Sequence, residues 1–269
     1  MASMDELILL KLGGSLITEK TVAHTARTKV IGRIAEEIKK AMQIDPDRQI
    51  LIGHGSGSFG HIAAHKYCTR DGVKTDVDWL GFAEVWREAK ALNQIVMESL
   101  IGAGLPVIAF PPCAQVLTRS HKIITWNISQ IRASLEHGLI PVIYGDVVFD
   151  EAIGGTILST EEQFEYLAGL LHPTRILLAG IEKGIWNDFP RRTELLERIT
   201  PENTQQFSAH LAASESPDVT GGMRSKVMSM LELVQAGHCR EVCIFSGLED
   251  QSILNALAGE CAGTMISFD

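Results

Sequence analysis

Short apolar runs alternate with helical patterns along most of this 269-residue chain. Seven runs suit strands that are buried on both faces, at residues 7–12, 49–53, 105–110, 139–144, 175–180, 241–246 and 264–268. Helical periodicity fills the intervals at residues 25–43, 79–102, 128–137, 161–171, 222–236 and 250–258. Such alternation predicts a doubly wound α/β sandwich with a largely parallel central sheet.

The chain has the pattern of one continuous fold. Residues 146–150 and 155–159 flank an AIGG segment and predict a β-hairpin laid over the sheet. The polar, small-residue stretch 208–220 predicts a loop. No Pro/Ser-rich linker and no internal repeat divides the sequence, so we predict a single domain over residues 1–269.

Charge and apolar content exclude several classes of partner. The net charge of −9 argues against broad nucleic-acid binding, which needs a basic face. No apolar run approaches the ~20 residues of a membrane span, and the N-terminus starts with acidic residues rather than a basic signal region. We therefore expect a cytoplasmic protein without nucleic-acid or membrane partners. A few inward-facing lysines could still attract a small anion.

The five cysteines, at positions 68, 113, 239, 243 and 261, are odd in number and scattered. Cys239 and Cys243 are four apart, a spacing that fits neither a CxxC zinc knuckle nor a CxxC redox pair. The pattern predicts free, mostly buried thiols in a reducing compartment.

The first strand runs into a glycine-rich turn. Lys11 is followed by Gly13, Gly14 and Ser15. Paired glycines let the backbone approach a phosphate closely and direct successive N–H groups at it, and Lys11 can point into the same space. The alternative is that the two glycines only form a tight turn.

The second strand runs into GHGSGSFGH, residues 53–61. Residues 55–60 match the GxGxxG fingerprint of dinucleotide-binding folds, which requires a second strand with an acidic end about twenty residues later. Residues 61–80 contain no strand-like run. The glycines therefore favour a phosphate-binding loop at a helix N-terminus. We place Gly55, Ser56 and Gly57 in this loop.

Two histidines follow this loop on the predicted helix. His61 and His65 share a helix face, but HIAAH lacks the glutamate of HExxH and shows no third ligand, so we predict no metal site. Because His61 comes directly after the loop, we expect it to hydrogen-bond an anion held there. We expect His65 to be structural.

Four further residues are candidates for the site. Gly145 follows the strand at 139–144, and Glu161 opens the helix at 161–171, where it could equally serve as part of the helix cap. Gly222 and Lys226 lie at the start of the helix at 222–236, where open N–H groups can bind an anion. The chain has no GxxxxGK[ST] loop, so bound ATP would need a different nucleotide site.

The motifs KLGGS, HGSGSFGH, YGDVV and DVTGGMRSK together resemble the amino acid kinase superfamily, and within it the isopentenyl phosphate kinase family. The resemblance covers nearly the whole chain in the same order. The histidine of the second motif is also found in the fosfomycin kinase branch, so that motif does not identify the substrate.

The resemblance implies a three-layer αβα sandwich and transfer of the γ-phosphoryl group of ATP, with Mg²⁺ bound to the nucleotide, to isopentenyl phosphate. It implies an acceptor side in about residues 1–170, an ATP side in about residues 171–269, and a homodimer. Kinases of other small phosphates or phosphonates, and a non-catalytic nucleotide sensor, remain alternatives.

The resemblance also implies residue roles. Lys11, Lys20, His61 and Glu161 would be catalytic, with Lys20 stabilising the transition state. Gly55, Ser56, His61 and Gly145 would bind the acceptor. The ATP-binding residues would be Lys11, Gly13, Gly14, Ser15, Gly57, Gly180, Gly184, Gly222 and Lys226.

The chain departs from the family pattern at several positions. Ser159-Thr160-Glu161 stands where the family has Ser-Gly-Asp, whose aspartate orients the lysines. The acids and tyrosine of the family's nucleotide loop are replaced in residues 179–186, and Asn127 replaces a common aspartate. Six apolar residues could line an isoprenoid tail pocket or equally belong to the core of the helices and strands: Phe82, Val85, Trp86, Phe110, Pro111 and Pro112.

Overall fold

The computed structural model of the protein describes residues 6–19, 22–204 and 223–268. In these ranges the strands are β1 (Leu7–Leu12), β2 (Gln49–His54), β3 (Val107–Ala109), β4 (Val116–Arg119), β5 (Lys122–Trp126), β6 (Ile140–Tyr144), β7 (Asp146–Asp150), β8 (Gly154–Leu158), β9 (Arg175–Gly180), β10 (Ile185–Trp186), β11 (Leu195–Leu196), β12 (Arg198–Ile199), β13 (Glu241–Ser246) and β14 (Thr264–Ser267). The helices are α1 (Gly14–Ile17), α2 (Thr28–Ile44), α3 (Gly57–Tyr67), α4 (Asp76–Gly102), α5 (Ser129–Glu136), α6 (Thr160–Leu171), α7 (Met223–Gln235) and α8 (Ser252–Leu257).

An eight-stranded sheet forms the middle of the protein, in the order β12-β14-β13-β9-β1-β2-β6-β3. Neighbouring strands pair in parallel except β13 and β14, which are antiparallel. All seven predicted strands are present, and the predicted parallel sheet is confirmed. β3 was predicted to be buried on both faces. It is an edge strand instead, and its residues are only partly buried or exposed.

Helices cover both faces of the sheet, which confirms the three-layer αβα sandwich. Leu9 of β1 belongs to the hydrophobic cluster that contains residues of α5, α6 and α7. Leu10 belongs to the opposite cluster, which contains residues of α2, α4 and α8. Because side chains alternate between the two faces of a strand, β1 contributes to both layers of the core.

A second sheet of four strands, in the order β5-β4-β7-β8, stands beside the main one. β7 and β8 form the predicted hairpin, and Gly154 with φ +82° begins β8. β4 and β5 form a hairpin that was not predicted from the sequence. Its turn residues Ser120 and His121 both have positive φ. Asp150 joins the two hairpins because its carboxylate accepts the backbone N–H groups of these two turn residues at 3.0 and 2.9 Å.

The prediction that all five cysteines are free thiols is wrong for two of them. Cys243 of β13 and Cys261, just before β14, form a disulfide with a Cα–Cα distance of 5.9 Å. The antiparallel pairing of β13 with β14 brings the two residues together, and their spacing of 18 residues does not reveal that pairing. Cys68, Cys113 and Cys239 are free.

The strand order reverses at β1. The chain fills β2, β6 and β3 on one side of β1 and then returns through α6 to β9 on the other side. Ligands of open α/β sheets bind beyond the carboxyl ends of the strands at such a reversal.

None of the helices in the described ranges has the length and apolar character of a membrane span. The predicted loop at residues 208–220 lies outside the described residues.

Candidate active site

One cleft of about 570 Å³ opens at the carboxyl ends of the central strands. Every predicted catalytic, acceptor-binding or ATP-binding residue in the described ranges lines this cleft, namely Lys11, Gly13, Gly14, Ser15, Gly55, Ser56, Gly57, His61, Gly145, Glu161, Gly180, Gly184 and Lys226. Lys20 and Gly222 lie outside the described residues. The structure thus brings together residues that are far apart in sequence, at the place that the strand order predicts.

The first two glycine loops touch through their backbones. A Cβ atom on Gly14 would lie 2.6 Å from the backbone nitrogen of Gly57, and one on Gly55 would lie 2.8 Å from that of Gly14. The backbone N–H of Gly55 donates to the carbonyl of Leu12 at 3.0 Å. Glycine is therefore required at these positions for contact between the loops, apart from the phosphate binding predicted from the sequence.

Loops of the C-terminal half contact the first glycine loop through backbone hydrogen bonds. The backbone N–H of Gly13 donates to the carbonyl of Ala179, at the end of β9, at 2.8 Å. One residue on, the carbonyl of Gly180 accepts the N–H of Gly247 at 2.8 Å. The loops after β1, β9 and β13 are thus held to one another by backbone hydrogen bonds.

Thr18 fastens the two glycine loops and was not identified from the sequence. Its hydroxyl donates to the carbonyl of Gly14 at 2.8 Å and accepts the backbone N–H of Ser58 at 3.0 Å. Thr18 is fully buried and lines the cleft. A single threonine four residues after Gly14 gives no sequence signal, since its role depends on the contact between α1 and α3.

A carboxylate lies between two lysines in the middle of the cleft. Glu161 Oε1 forms an ion pair with Lys11 Nζ and lies 3.2 Å from Lys226 Nζ. Lys11 follows Leu7 and Leu9 on the sheet face that α6 covers, so its ammonium group reaches the first turn of that helix. Burial opposes ionisation of Glu161, but the two ammonium groups outweigh it and hold the pKa of the carboxyl well below its usual range.

The N-terminal cap of α6 is formed with Glu162 and not with Glu161. Ser159 Oγ accepts the backbone N–H of Glu162 at 3.2 Å, and Glu162 Oε2 accepts the N–H of Ser159 at 2.7 Å. This reciprocal pair is a capping box. Glu162 therefore has the capping role that the sequence also allowed for Glu161, and the carboxylate of Glu161 is left to pair with the lysines.

Thr160, which stands in the place of the family glycine, also contributes to the cleft wall. Its hydroxyl donates to the backbone carbonyl of His54 at 2.7 Å, and the N–H of Gly145 donates to the same carbonyl at 2.9 Å. The end of β2 is thus fixed to both the hairpin and α6. Asn127, the other departure, accepts the N–H of Ser129 at 3.0 Å, which suits a residue just ahead of α5.

One end of the cleft combines a histidine with apolar side chains. His61 is exposed on α3 and lines the cleft, whereas His65 is exposed and lies outside its lining. Of the six residues proposed for a tail pocket, only Val85 lines this cleft. Phe82 and Phe110 are buried in hydrophobic clusters, and Trp86 borders a second cavity. The apolar lining near His61 consists instead of Ile62, Ala64, Val85 and Ile157.

The loop after β9 also lines the cleft and carries the residues that replace the family's nucleotide loop. Glu182 accepts the indole N–H of Trp186 at 3.0 Å and pairs with Arg192 at 3.2 Å. The guanidinium of Arg192 lies over the ring of Phe189, 5.4 Å from its centroid. These residues present aromatic surfaces on which a nucleotide base can stack.

The comparisons with known proteins agree with this geometry. The model of the amino acid kinase family matches residues 6–246. The chain belongs to the amino acid kinase family. It is 33% identical to isopentenyl phosphate kinase of Methanocaldococcus jannaschii, over 97% of this chain and 99% of that protein. It is 31% identical to the isopentenyl phosphate kinase of Methanothermobacter thermautotrophicus, with the same coverage.

A solved structure of isopentenyl phosphate kinase is similar along its whole length. The TM-score is 0.81 at 29% identity, and the match covers 97% of this chain and 100% of the other. The amino acid kinase fold expected from the motifs is therefore confirmed. Together with the family match, these full-length relatives make the chain an ATP-dependent phosphotransferase.

Proposed function

We propose that this kinase transfers the γ-phosphoryl group of ATP to isopentenyl phosphate and releases isopentenyl diphosphate and ADP. The observation that carries the proposal is the Lys11–Glu161–Lys226 cluster, which lies in the same cleft as the glycine loops and His61. The full-length similarity to two isopentenyl phosphate kinases supports the acceptor.

The acceptor phosphate would lie against Gly55, Ser56, His61 and Gly145, with its tail among the apolar side chains near His61. A phosphomonoester has a second pKa near ~6, so near neutral pH its oxygen is already a nucleophile. The reaction therefore needs no general base. His61 would orient the phosphate and offset part of its charge.

The chief barrier to this reaction is electrostatic, because two polyanions must meet in line while charge develops on the transferred group. Lys11 and Lys226 are suited to this task because Glu161 holds both before any ligand binds. ATP would occupy the wall formed by Gly13, Gly14, Ser15, Gly57, Gly180 and Gly184. The transition-state role of Lys20 and the phosphate contact of Gly222 stay predictions.

Magnesium would be carried mainly by the nucleotide. The described ranges contain no group of three or more His, Cys, Asp or Glu side chains that could hold a metal ion. Two of the three carboxyl groups that line the described part of the cleft, those of Glu161 and Glu182, are already paired with cationic side chains. Phosphate oxygens and water suit Mg²⁺, which retains several waters in such complexes.

The residue roles, the division of the chain into acceptor and ATP sides, the homodimer and the cytoplasmic location stay predictions. Light scattering coupled to gel filtration would test the homodimer.

Release of ADP with isopentenyl phosphate as acceptor tests the proposed function. We expect turnover that yields isopentenyl diphosphate by ³¹P NMR, and 100- to 1000-fold slower turnover in Lys11→Met, since one preorganised donor is lost. Equal or greater efficiency with fosfomycin would contradict the proposed acceptor. ATP binding without turnover of either compound would identify a sensor instead of a kinase.

A further inference from the structure

Asp146, the first residue of β7, has a carboxyl group that the reaction described so far does not use. The residue is 1% exposed and still lines the cleft, directly after Gly145. Its Oδ1 atom accepts the backbone N–H of Val147 at 2.8 Å. Its Oδ2 atom is buried and has no hydrogen-bond partner among the described residues.

The surroundings of Asp146 favour the protonated acid. Within the described ranges no cationic side chain pairs with it, in contrast to Glu161. Among the described residues, Cys113 and Tyr144 are the titratable groups that interact with it, and burial raises the pKa of both of them. Burial raises the pKa of Asp146 to about 8, although the backbone N–H of Val147, which donates to Oδ1, and the nearby backbone N–H of Cys113, which makes no hydrogen bond to Oδ2, oppose this rise.

A protonated carboxyl group is a hydrogen-bond donor. Because Oδ1 already accepts a hydrogen bond, the proton belongs on Oδ2, which faces no acceptor in the described part of the protein. A buried donor without an acceptor is costly, so a ligand oxygen is the natural partner. The preceding residue, Gly145, lies beside the acceptor loop, because a Cβ atom on Gly145 would lie 3.8 Å from the backbone nitrogen of Ser56, and Asp146 lines the same cleft.

We infer that Asp146 binds the acceptor substrate, donating a hydrogen bond from Oδ2 to an oxygen of its phosphate group. This inference rests on the proposed function, because it concerns the acceptor of that same cleft. A donor in this position favours acceptors whose anionic oxygen lies beside Gly145. Once ionised, the same side chain repels the phosphate, so acceptor binding weakens as Asp146 loses its proton.

Two substitutions of Asp146 distinguish the effect of its hydrogen-bond donor from the effect of its negative charge. Asp146→Asn keeps a donor of the same shape and cannot ionise, whereas Asp146→Leu removes the donor. We expect kcat/KM of the parent for isopentenyl phosphate to fall as the pH rises through about 8. In Asp146→Asn this alkaline fall should disappear. In Asp146→Leu, KM for the acceptor should rise on the order of 10- to 100-fold at pH 7, with a smaller change in kcat.

Asp150, at the other end of β7, provides the matched control. Its carboxylate accepts backbone N–H groups from Ser120, His121 and Ala152, and it does not line the cleft. Asp150→Asn should lower the melting temperature and keep the alkaline fall of the parent. An alkaline fall that persists in Asp146→Asn would overturn the inference. So would a loss of activity in Asp146→Asn that extra Mg²⁺ restores, because the carboxylate would then be a metal ligand.

Infrared difference spectroscopy tests protonation without turnover. At pH 7 the parent minus Asp146→Asn spectrum should contain a carboxylic-acid C=O band, and this band should shift when isopentenyl phosphate is added. The absence of the band, or a band that the ligand leaves unchanged, contradicts the inference. A parent enzyme that binds isopentenyl phosphate and shifts the band but shows no turnover would contradict only the proposed function.

Discussion

The Nζ atom of Lys226 lies 3.2 Å from Oε1 of Glu161, the same oxygen that pairs with Lys11. The two lysines come from β1 and α7, near opposite ends of the chain, and Glu161 comes from the first turn of α6 between them. One buried carboxylate thus fixes two ammonium groups that would otherwise repel each other. The longer side chain of glutamate is compatible with contact to both lysines.

Replacement of Glu161 by glutamine should lower kcat on the order of 100-fold or more, because the two ammonium groups lose the charge that holds them in place. KM for the acceptor should change less, since Glu161 need not touch the acceptor. Steady-state kinetics with isopentenyl phosphate would measure both parameters. Glu162→Gln is the matched control on the same turn. It weakens the capping box and the pair with Arg70, so it should lower the melting temperature and leave kcat within a few-fold of the parent.

The contact between the two glycine loops leads to a second prediction, on the effect of replacing Gly14. Gly14→Ala would place a methyl group 2.6 Å from the backbone nitrogen of Gly57, and neither backbone can yield without separating the loops. We expect a loss of stability of about 1–3 kcal/mol and a larger proportional loss of kcat/KM. Thermal denaturation and steady-state kinetics would measure the two losses.

Gly32 in α2 is the control for that substitution, since a Cβ atom there meets nothing within 4 Å. Alanine is favoured over glycine inside helices, so Gly32→Ala should leave activity unchanged and stabilise the protein by up to about 1 kcal/mol. Equal effects of the two substitutions would contradict the idea that the loops need close backbone contact.

Thr18 provides a third prediction, because its hydroxyl joins the same loops. Thr18→Val keeps the shape and leaves the N–H of Ser58 without its acceptor, so we expect a cost of about 1–3 kcal/mol in unfolding free energy. KM for the acceptor should also rise, since α3 would no longer be fixed against α1. Thr18→Ser retains the hydroxyl and should restore most of the lost affinity. A serine variant as impaired as the valine variant would show that the γ-methyl group contributes as much as the hydroxyl, which would contradict a role for the hydrogen bonds alone.

Local pattern explains why so much of the site was predictable. In a parallel sheet, the residues that follow each apolar run must reach the same edge, so Gly13, Gly55 and Gly145 could be grouped from the sequence alone, with Lys11 pointing into the same space. The resemblance to the kinase family added Gly180 and gave the lysines their roles. These predictions depend on residues whose position follows from their own strand or helix.

Features that depend on contacts between distant elements could not be predicted. From the sequence, Glu161 could either cap α6 or form an ion pair. It forms ion pairs, because Lys11 and Lys226 reach it from other elements. The β4–β5 hairpin lacks an Asn-Gly turn, and Ser120 and His121 gave no sign that they adopt positive φ. The buried acid of Asp146 depends on packing from several segments.

His54 gives the last prediction, on the pH dependence of stability. The ring is fully buried, with Nδ1 3.1 Å from the carbonyl of Gly55 and Nε2 3.1 Å from the side chain of Asn93. Burial lowers the pKa of His54 from its ordinary 6.5, against the opposing effect of these two hydrogen bonds. Below pH 6.5 the unfolded chain therefore gains a proton on His54 that the folded protein does not, and stability falls as the pH decreases toward the folded pKa.

We expect the unfolding free energy of the parent to fall between pH 7 and pH 5. In His54→Gln the slope should be smaller by up to about 1.4 kcal/mol per pH unit, the value for one titrating group. Urea denaturation across this range would measure both slopes. A comparison of slopes is not affected by the pH-independent loss of unfolding free energy that follows from removing the imidazole. His65→Gln, at an exposed position on α3, serves as the matched control for replacing a histidine. Equal slopes for the parent and His54→Gln would mean that His54 is protonated in the folded protein, and the Gly55 loop would then carry an additional positive charge beneath the acceptor phosphate.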